Sequence, residues 1–326
     1  SFQNRNLFRG SETFMIKFRG AYEVISGLQA GYSNNNYTEY GVETSINFPN
    51  FLFPFISSDF KRKIRATTEF GLQEFLRTMA SANWSYKWTQ RQKIQHRIDL
   101  INIAFLYLPR ISERFKEDYI NKGQNHIFQY NYQDRLIINM GYSYNYNSVG
   151  GSIINNTIAS NSYSIRFNFE SAGNVMYALS KAANIRKNSN GEYAILGIPY
   201  AQYLKGEFDF AKNIRIDYRN SFAFHAGVGI AVPYGKAKTI PFEKQYFSGG
   251  ANSVRGWSVR DLGPGSFAGN GNLLDQSGDI KLDASIEYRS KLFWKFQGAV
   301  FIDAGNIWTI RSYANQPGGV FKFDRF

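Results

Sequence analysis

The 326-residue chain contains no cysteine, which excludes disulfide scaffolds, thiolate zinc sites and cysteine nucleophiles. It also lacks any run approaching the ~18 consecutive apolar residues of a transmembrane helix, which excludes a helical membrane protein. Its three histidines, His96, His126 and His225, fall on separate predicted strands or loops without metal-ligand spacing. The glycine-rich stretch 263–272 lacks the lysine and following helix of a phosphate-binding loop. We therefore expect no enzyme activity and no metal or other cofactor.

Aromatic residues are abundant, at 17% of the chain, while the mean hydropathy of −0.38 is that of a soluble protein. A transmembrane β-barrel reconciles the two values, because its strands present an apolar residue to lipid only at every second position. The net charge of +13 comes from lysines and arginines that recur singly between apolar residues. This spacing favours a charged face of a sheet over a nucleic-acid-binding tail, and we expect no nucleic-acid partner.

Alternation of apolar and polar residues with period two recurs along the chain and predicts β-strands. In "DIKLDASIEYRS", Ile280, Leu282 and Ile286 oppose Lys281 and Glu287. The stretch 214–231 alternates in the same way and is predicted as one long strand. A soluble sandwich would bury the apolar face, whereas a membrane barrel would turn it towards lipid and the charged face towards a wet lumen.

Connection lengths favour the barrel. Short turns are predicted at 211–213 and 291–294, and long insertions at 109–125 and 171–199; this alternation is typical of outer-membrane barrels. A short helix is predicted within 171–187, and 48–55 is either an aromatic turn or a strand end terminated by proline. The predicted fold is an all-β antiparallel transmembrane β-barrel, with twelve strands at 1–7 (a tail), 12–24, 38–48, 62–76, 78–89, 93–108, 134–147, 161–170, 200–210, 214–231, 278–290 and 295–308.

One glycine-rich segment carries a family signature. "GGANSVRGW", residues 249–257, resembles the VRGF/VRGY signature of the BamA and TamA superfamily of outer-membrane assembly barrels, and "FIDAGNIW", residues 301–308, follows about fifty residues later as in that family. "NRNLFRGSE" at 4–12 and "ASIEYR" at 284–289 resemble two further family motifs. The aromatic- and asparagine-rich style is closest to the TamL-like members of the Bacteroidetes.

The resemblance implies a sixteen-stranded barrel, of which twelve strands are represented. Residues 1–326 are therefore expected to be an incomplete outer-membrane β-barrel domain, with POTRA domains before residue 1 and further strands after residue 326. The ending "GGVFKFDRF" does not have the alternation of a terminal barrel strand.

The resemblance also implies that the signature loop folds back into the lumen and that its arginine pairs with acidic residues of the barrel wall. Carried over to this chain, the loop arginine is Arg255, and its candidate partners are Glu287 and Asp303. The period-two pattern independently puts Glu287 on the charged face and Asp303 on the same face as Gln297. A planar guanidinium held by carboxylates would give the loop a directional attachment that lysine could not reproduce.

Four neighbours of the arginine complete the predicted site. Gly249, Gly250 and Gly256 are expected to allow positive φ angles and close approach to the wall. Trp257 is expected to pack beside Arg255.

The function implied by the resemblance is insertion and folding of β-barrel proteins in the bacterial outer membrane, without nucleotide hydrolysis. The implied location is the outer membrane, as a multi-pass β-barrel. The implied partners are unfolded outer-membrane protein substrates, lipid and lipopolysaccharide, and accessory lipoproteins or subunits. The alternative is a two-partner secretion exporter, which shares the loop signature but passes a single unfolded substrate through its lumen. A passive porin or anchor is a third possibility that would not need the signature.

Overall fold

The computed structural model describes residues 1–23, 37–49, 65–75, 79–106, 135–149, 161–185, 187, 193–195, 198–235, 237, 239–269 and 275–323. Their main feature is a twelve-stranded antiparallel sheet in which each strand pairs with its neighbours in chain order. Its strands are β1 (Phe2–Arg5), β2 (Thr13–Glu23), β3 (Tyr37–Phe48), β4 (Arg65–Phe75), β5 (Met79–Gln90), β6 (Ile94–Leu106), β7 (Arg135–Asn147), β8 (Ser162–Ala172), β11 (Tyr203–Arg215), β12 (Asn220–Pro233), β13 (Ile280–Lys291) and β14 (Gln297–Trp308). Between β8 and β11 lie the helix α1 (Asn174–Ala182) and a small hairpin of β9 (Ala194–Ile195) and β10 (Ile198–Pro199).

The strand order is that of an up-and-down barrel wall, and β1 and β14 are its two edges. Within the described ranges these two edge strands are not hydrogen-bonded to each other, so the sheet is open. No helix among the described residues is long and apolar enough to span a membrane. The all-β, antiparallel prediction is confirmed.

The two faces of the sheet differ as the alternation predicts. On β14, Val300 and Ile302 are 72% and 74% exposed on the outer face, whereas the Asp303 side chain on the inner face is only 4% exposed. The connection between β12 and β13, residues 234–279, is called the β12–β13 loop below, and its described residues pack against this inner face. Exposed apolar rows opposite a polar inner face are the arrangement of a barrel wall in lipid.

The predicted turn at 211–213 is wrong, and the strand predicted at 214–231 begins too early, since β12 covers Asn220–Pro233. β11 runs on to Arg215, and the chain reverses at 216–219 before β12 begins. The Asp217 carboxylate makes this turn by accepting hydrogen bonds from the backbone N–H groups of Arg219 (2.7 Å) and Asn220 (2.8 Å). Arg215 pairs with Ser221, so residues of the same parity lie on the same face before and after the turn. The apolar–polar alternation therefore continues unbroken through the turn, and the sequence pattern could not reveal that the chain reverses there.

Several other predicted boundaries differ from the observed ones by a few residues. The predicted tail at 1–7 contains β1, which pairs with β2 as a true strand of the sheet. The β13–β14 turn covers 292–296 instead of 291–294, so β14 begins two residues later than predicted. The helix predicted within 171–187 is confirmed as α1. The predicted insertion at 109–125 and all but the first two residues of the segment 48–55 lie outside the described residues.

A small apolar core joins the β12–β13 loop to the wall. Its buried members from the loop are Ile240 and Tyr246. The other members come from the long-connection ends of wall strands or the residues just beyond them: Ile137, Ala172, Ala201, Tyr203, Ala231 and Ile307. Burying each large apolar side chain stabilises the folded state by roughly 1.5–3 kcal/mol. This core therefore holds the base of the β12–β13 loop against the inner face of the sheet.

Candidate functional site

Arg255, near the tip of the β12–β13 loop, is bound to the inner face of β14 through Asp303. Its Nε donates to Oδ2 of Asp303 at 2.8 Å, and its Nη2 donates to Oδ1 at 2.7 Å. The backbone N–H of Arg255 donates to the same Oδ2 at 3.0 Å. Both edges of the carboxylate are therefore occupied by one residue, in the bidentate geometry that only a guanidinium can provide.

Glu287 on β13 completes the pairing of Arg255. Nη1 of Arg255 donates to Oε2 of Glu287 at 2.5 Å, while Arg289 Nε donates to Oε1 of Glu287 at 2.6 Å. The hydrogen bonds to Asp303, supported by the one to Glu287, raise the pKa of Arg255 above its ordinary value. The structure thus brings Arg255, Glu287 and Asp303 together, and it adds Arg289 to the cluster.

The aromatic ring against Arg255 is that of Phe301, with the guanidinium carbon 3.5 Å from the ring centroid. Trp257, expected in this position, is 49% exposed, and its carbonyl oxygen accepts a hydrogen bond from the Gly250 N–H at 2.8 Å. Phe301 was missed by sequence reasoning, although it lies two residues before Asp303 and therefore on the same face of β14. The stack adds a cation–π contact to the ionic one.

The three glycines around Arg255 have different roles. Gly249 and Gly250 have φ angles of 91° and 88°, as expected, and a Cβ on Gly249 would collide with the carbonyl oxygen of Ser258. These two positions fold the loop back on itself and require glycine. Gly256 does not have a positive φ, and a Cβ there would meet no described atom within 4 Å. The expectation that Gly256 allows close approach to the wall is therefore wrong.

A second arginine of the same loop, Arg260, is held in a different way. Its guanidinium carbon lies 4.3 Å and 4.4 Å from the ring centroids of Phe242 and Phe247. Its Nη1 is buried and has no hydrogen-bond partner among the described residues. Burial lowers the pKa of Arg260. The repeated tripeptide "SVR" thus supplies one arginine to carboxylates and one to aromatic rings.

The base of the loop has its own ionic attachment, which sequence reasoning missed. Lys244 Nζ lies 2.8 Å from Oε1 of Glu170 on β8. The same carboxylate accepts hydrogen bonds from Asn139 Nδ2 at 2.6 Å and from the Tyr203 hydroxyl. Lys205 on β11 donates from Nζ to the Lys244 carbonyl oxygen at 3.1 Å. Glu170 is therefore the centre of a second cluster, formed by three wall strands and the loop.

The two described histidines belong to separate surroundings. His225 lies on the inner face between Asp209 and Asp283, with N–O distances of 3.3 Å and 3.4 Å. It lines an open polar cavity of about 220 Å³ next to Arg255 and Glu287. His96 stacks on Trp88 with ring centroids 4.8 Å apart. Within the described part of the chain, no group of three or more potential ligands could hold a metal ion.

The comparisons with known proteins agree with this architecture. The family model of the Omp85 superfamily domain matches residues 18–323. The chain belongs to the Omp85 superfamily. The predicted resemblance to the BamA and TamA superfamily is thereby confirmed, while the likeness to TamL-like members stays a prediction.

Two relatives can be named. Over 95 residues the chain is 35% identical to the outer membrane protein assembly factor BamA of Neisseria meningitidis serogroup B, a match that covers 26% of this chain and 11% of that protein. The crystal structure of BamA from Haemophilus ducreyi lacking POTRA domains 1–3 aligns with a TM-score of 0.55 and 15% identity, over 94% of this chain and 54% of that chain. The chain thus spans about half of that structure and about a ninth of the curated relative.

Proposed function

We propose that this chain is the barrel wall of a machine that inserts and folds β-barrel proteins in the bacterial outer membrane, as a multi-pass barrel. Family membership and the similarity to an outer membrane protein assembly factor support this function. The observation that carries it is the pairing of Arg255 with Asp303 and Glu287, the contacts that the resemblance to the family predicts.

In this proposal Arg255 is the internal anchor of the β12–β13 loop, and Glu287 and Asp303 are its partners on the wall. A long loop is costly to order, since each fixed residue loses backbone entropy of roughly 1–2 kcal/mol. A bidentate pair in a partly secluded setting fixes both the position and the orientation of the loop tip. Gly249 and Gly250 make the turn that presents Arg255, and Trp257 closes it through its carbonyl group.

The proposed mechanism needs no nucleotide. An incoming substrate strand adds to an exposed strand edge, because unpaired backbone N–H and C=O groups template further pairing. Folding of the substrate and burial of its apolar face in lipid supply the free energy. The proposed partners are unfolded outer-membrane proteins, lipid and lipopolysaccharide, and accessory lipoproteins or subunits.

Depletion of the full-length protein from its host, followed by quantitative proteomics of the outer membrane, tests this function. An assembly machine predicts a broad fall across many unrelated barrel proteins, restored by the wild-type gene and restored less well by Arg255→Ala. Loss of a single exported protein, with the other barrels at their normal level, would instead identify a two-partner secretion exporter. That outcome would overturn the proposal.

A further inference from the structure

Two short turns lie side by side at the end of the sheet opposite the base of the β12–β13 loop. They are the β11–β12 turn at 216–219 and the β13–β14 turn at 292–296. The Lys291 N–H donates to the Arg219 carbonyl oxygen at 2.9 Å, and the Tyr288 hydroxyl donates to the Asn220 side-chain oxygen at 2.8 Å. The two turns therefore form one surface.

This surface is apolar and strongly exposed. We call it the turn patch and define it by six exposed side chains: Ile216, Tyr218, Leu292, Phe293, Trp294 and Phe296. Phe293 is 69% and Trp294 is 86% exposed. On the adjoining outer face, Phe222 and Tyr288 have ring centroids 5.3 Å apart, so the patch continues the apolar outer face beyond the strand ends.

The charges around the turn patch are almost all positive. Its flanking cations are Arg215, Arg219, Lys291 and Lys295. The only carboxylate in the two turns is that of Asp217, and its oxygens accept three hydrogen bonds within its own turn. Neither Lys291 nor Lys295 has an ion pair or hydrogen bond to its side chain within the described ranges. Lys291 and Lys295 thus present positive charge beside exposed aromatic rings, and Lys295 Nζ lies 5.8 Å from the Trp294 ring centroid.

The backbone at the tip of the β13–β14 turn fixes the position of Trp294. Trp294 has a φ of 50°, in the left-handed region where glycine or asparagine is favoured. A bulky residue there costs about 1–2 kcal/mol, and the exposed Trp294 ring gains little burial in return. Positive φ angles also occur in the β1–β2 and β5–β6 turns, and in the β13–β14 turn this conformation places the exposed Trp294 at the tip.

We propose that the turn patch binds anionic phospholipids of the membrane leaflet that it enters. Tryptophan and tyrosine prefer the level of the headgroups, and lysine and arginine beside them attract anionic lipid. The proposal rests on the orientation implied by the proposed function, in which short turns face the periplasm. It narrows the lipid partner of the proposed function to anionic phospholipid and assigns it a binding surface.

Fluorescence quenching of the full-length protein in bilayers of defined composition tests this proposal. The quenchers are brominated phosphatidylglycerol and brominated phosphatidylcholine, at equal mole fraction in separate samples. The difference between wild type and Trp294→Gly isolates the signal of Trp294 from the other four tryptophans. Glycine adopts the positive φ without strain, so this variant keeps the turn.

We expect brominated phosphatidylglycerol to quench the fluorescence of Trp294 about fivefold or more strongly than brominated phosphatidylcholine does, because each lysine near an anionic surface is attracted to it. The double variant Lys291→Glu/Lys295→Glu should bring the preference close to one. The matched control, Lys181→Glu/Lys187→Glu, changes the same charge at exposed positions of the α1 connection and should keep the wild-type preference. Equal quenching by both lipids in the wild type, or an equal loss in the control, would overturn the proposal. Because the readout is lipid contact, its failure leaves the proteomic test of assembly unaffected.

Discussion

The β12–β13 loop is attached to the inner face by two ionic clusters that use different chemistry. At the tip, Arg255 holds Asp303 with two parallel hydrogen bonds of 2.8 Å and 2.7 Å. At the base, Lys244 Nζ lies 2.8 Å and 2.9 Å from the two oxygens of Glu170, and Oε1 of that carboxylate also accepts hydrogen bonds from Asn139 and Tyr203. The tip is thus fixed in orientation by one residue, whereas the base is fixed by several residues acting together.

This difference determines what the loss of one residue does to each cluster. At the tip, loss of Arg255 would leave two carboxylates, Asp303 and Glu287, near each other without their shared cation. At the base, loss of Lys244 would leave Glu170 with two neutral donors, and the apolar core around Tyr246 would still hold the loop. We therefore expect the tip to be the more sensitive attachment.

The largest effect is expected for Arg255→Ala. Removing one partner of a largely secluded ion pair is strongly destabilising, and after discounting for partial exposure we expect a loss of about 2 kcal/mol in the free energy of unfolding. Arg255→Lys should recover less than half of it, because the single ammonium group of lysine cannot donate two parallel hydrogen bonds to Asp303 and also reach Glu287. Urea unfolding of the full-length protein in micelles measures both variants. Equal stability of Arg255→Lys and wild type would contradict the role given to the guanidinium fork.

A double-mutant cycle sharpens this result. Asp303→Ala combined with Arg255→Ala should cost less than the sum of the two single changes, because the two residues contact each other directly. Arg289→Ala is the matched control, since it removes a different arginine from Glu287 while leaving the Asp303 fork intact. Strict additivity of the Arg255 and Asp303 changes would show that the observed contacts do not stabilise the protein.

Glu170→Gln at the base is expected to have a smaller effect, about 1.5 kcal/mol. Glutamine keeps the size of the side chain and one acceptor oxygen but loses the charge that pairs with Lys244. Limited proteolysis provides a second measurement: cleavage should increase near Lys244 in this variant and near Arg255 in Arg255→Ala. If Glu170→Gln were more damaging than Arg255→Ala, the base and not the tip would be the principal attachment.

Asp279 is a buried carboxylate that differs from Asp303 in accepting a hydrogen bond from a backbone N–H instead of a guanidinium fork. It lies just before β13 and accepts a hydrogen bond from the Ile310 N–H at 3.0 Å. Burial raises the pKa of Asp279 to about 6, above its unfolded value of 3.8. The folded state therefore binds more protons than the unfolded state in the interval between these values, and stability must fall as the pH rises through it.

From pH 5 to pH 6 the loss attributable to Asp279 should be about 1 kcal/mol, since one pKa unit corresponds to about 1.4 kcal/mol. Asp279→Asn keeps an acceptor for the Ile310 N–H and should remove this part of the pH dependence. Unfolding free energies of both proteins at the two pH values provide the measurement. An unchanged slope in Asp279→Asn would assign the titration to another group.

The sequence predicts the tip of the loop better than its base, for physical reasons. Arg255, Glu287 and Asp303 belong to contiguous motifs whose alternation shows which face each carboxylate occupies. Glu170 and Lys244 are single charges far apart in the chain. They meet because the β12–β13 loop folds back to Lys205, which is paired with Glu170 across β8 and β11 and donates to the Lys244 carbonyl oxygen. The strands themselves were predicted well where turns interrupt the alternation. The start of the strand predicted at 214–231 was wrong, because the turn formed by Asp217 preserves the phase of the apolar–polar alternation.

The smallest effect is expected at Arg260, and it separates the two arginines of the loop most clearly. Stacking between Phe242 and Phe247 is favourable by about 0.5–2 kcal/mol, but burial of a charge with an unpaired Nη1 opposes it. Arg260→Met removes both the cation–π stacking and the buried charge, and it keeps an apolar side chain between the two rings. We therefore expect a change below about 0.5 kcal/mol in urea unfolding, against a clear loss in Arg255→Met. A loss at Arg260 as large as that at Arg255 would mean that the aromatic pair holds the loop as firmly as the two carboxylates do.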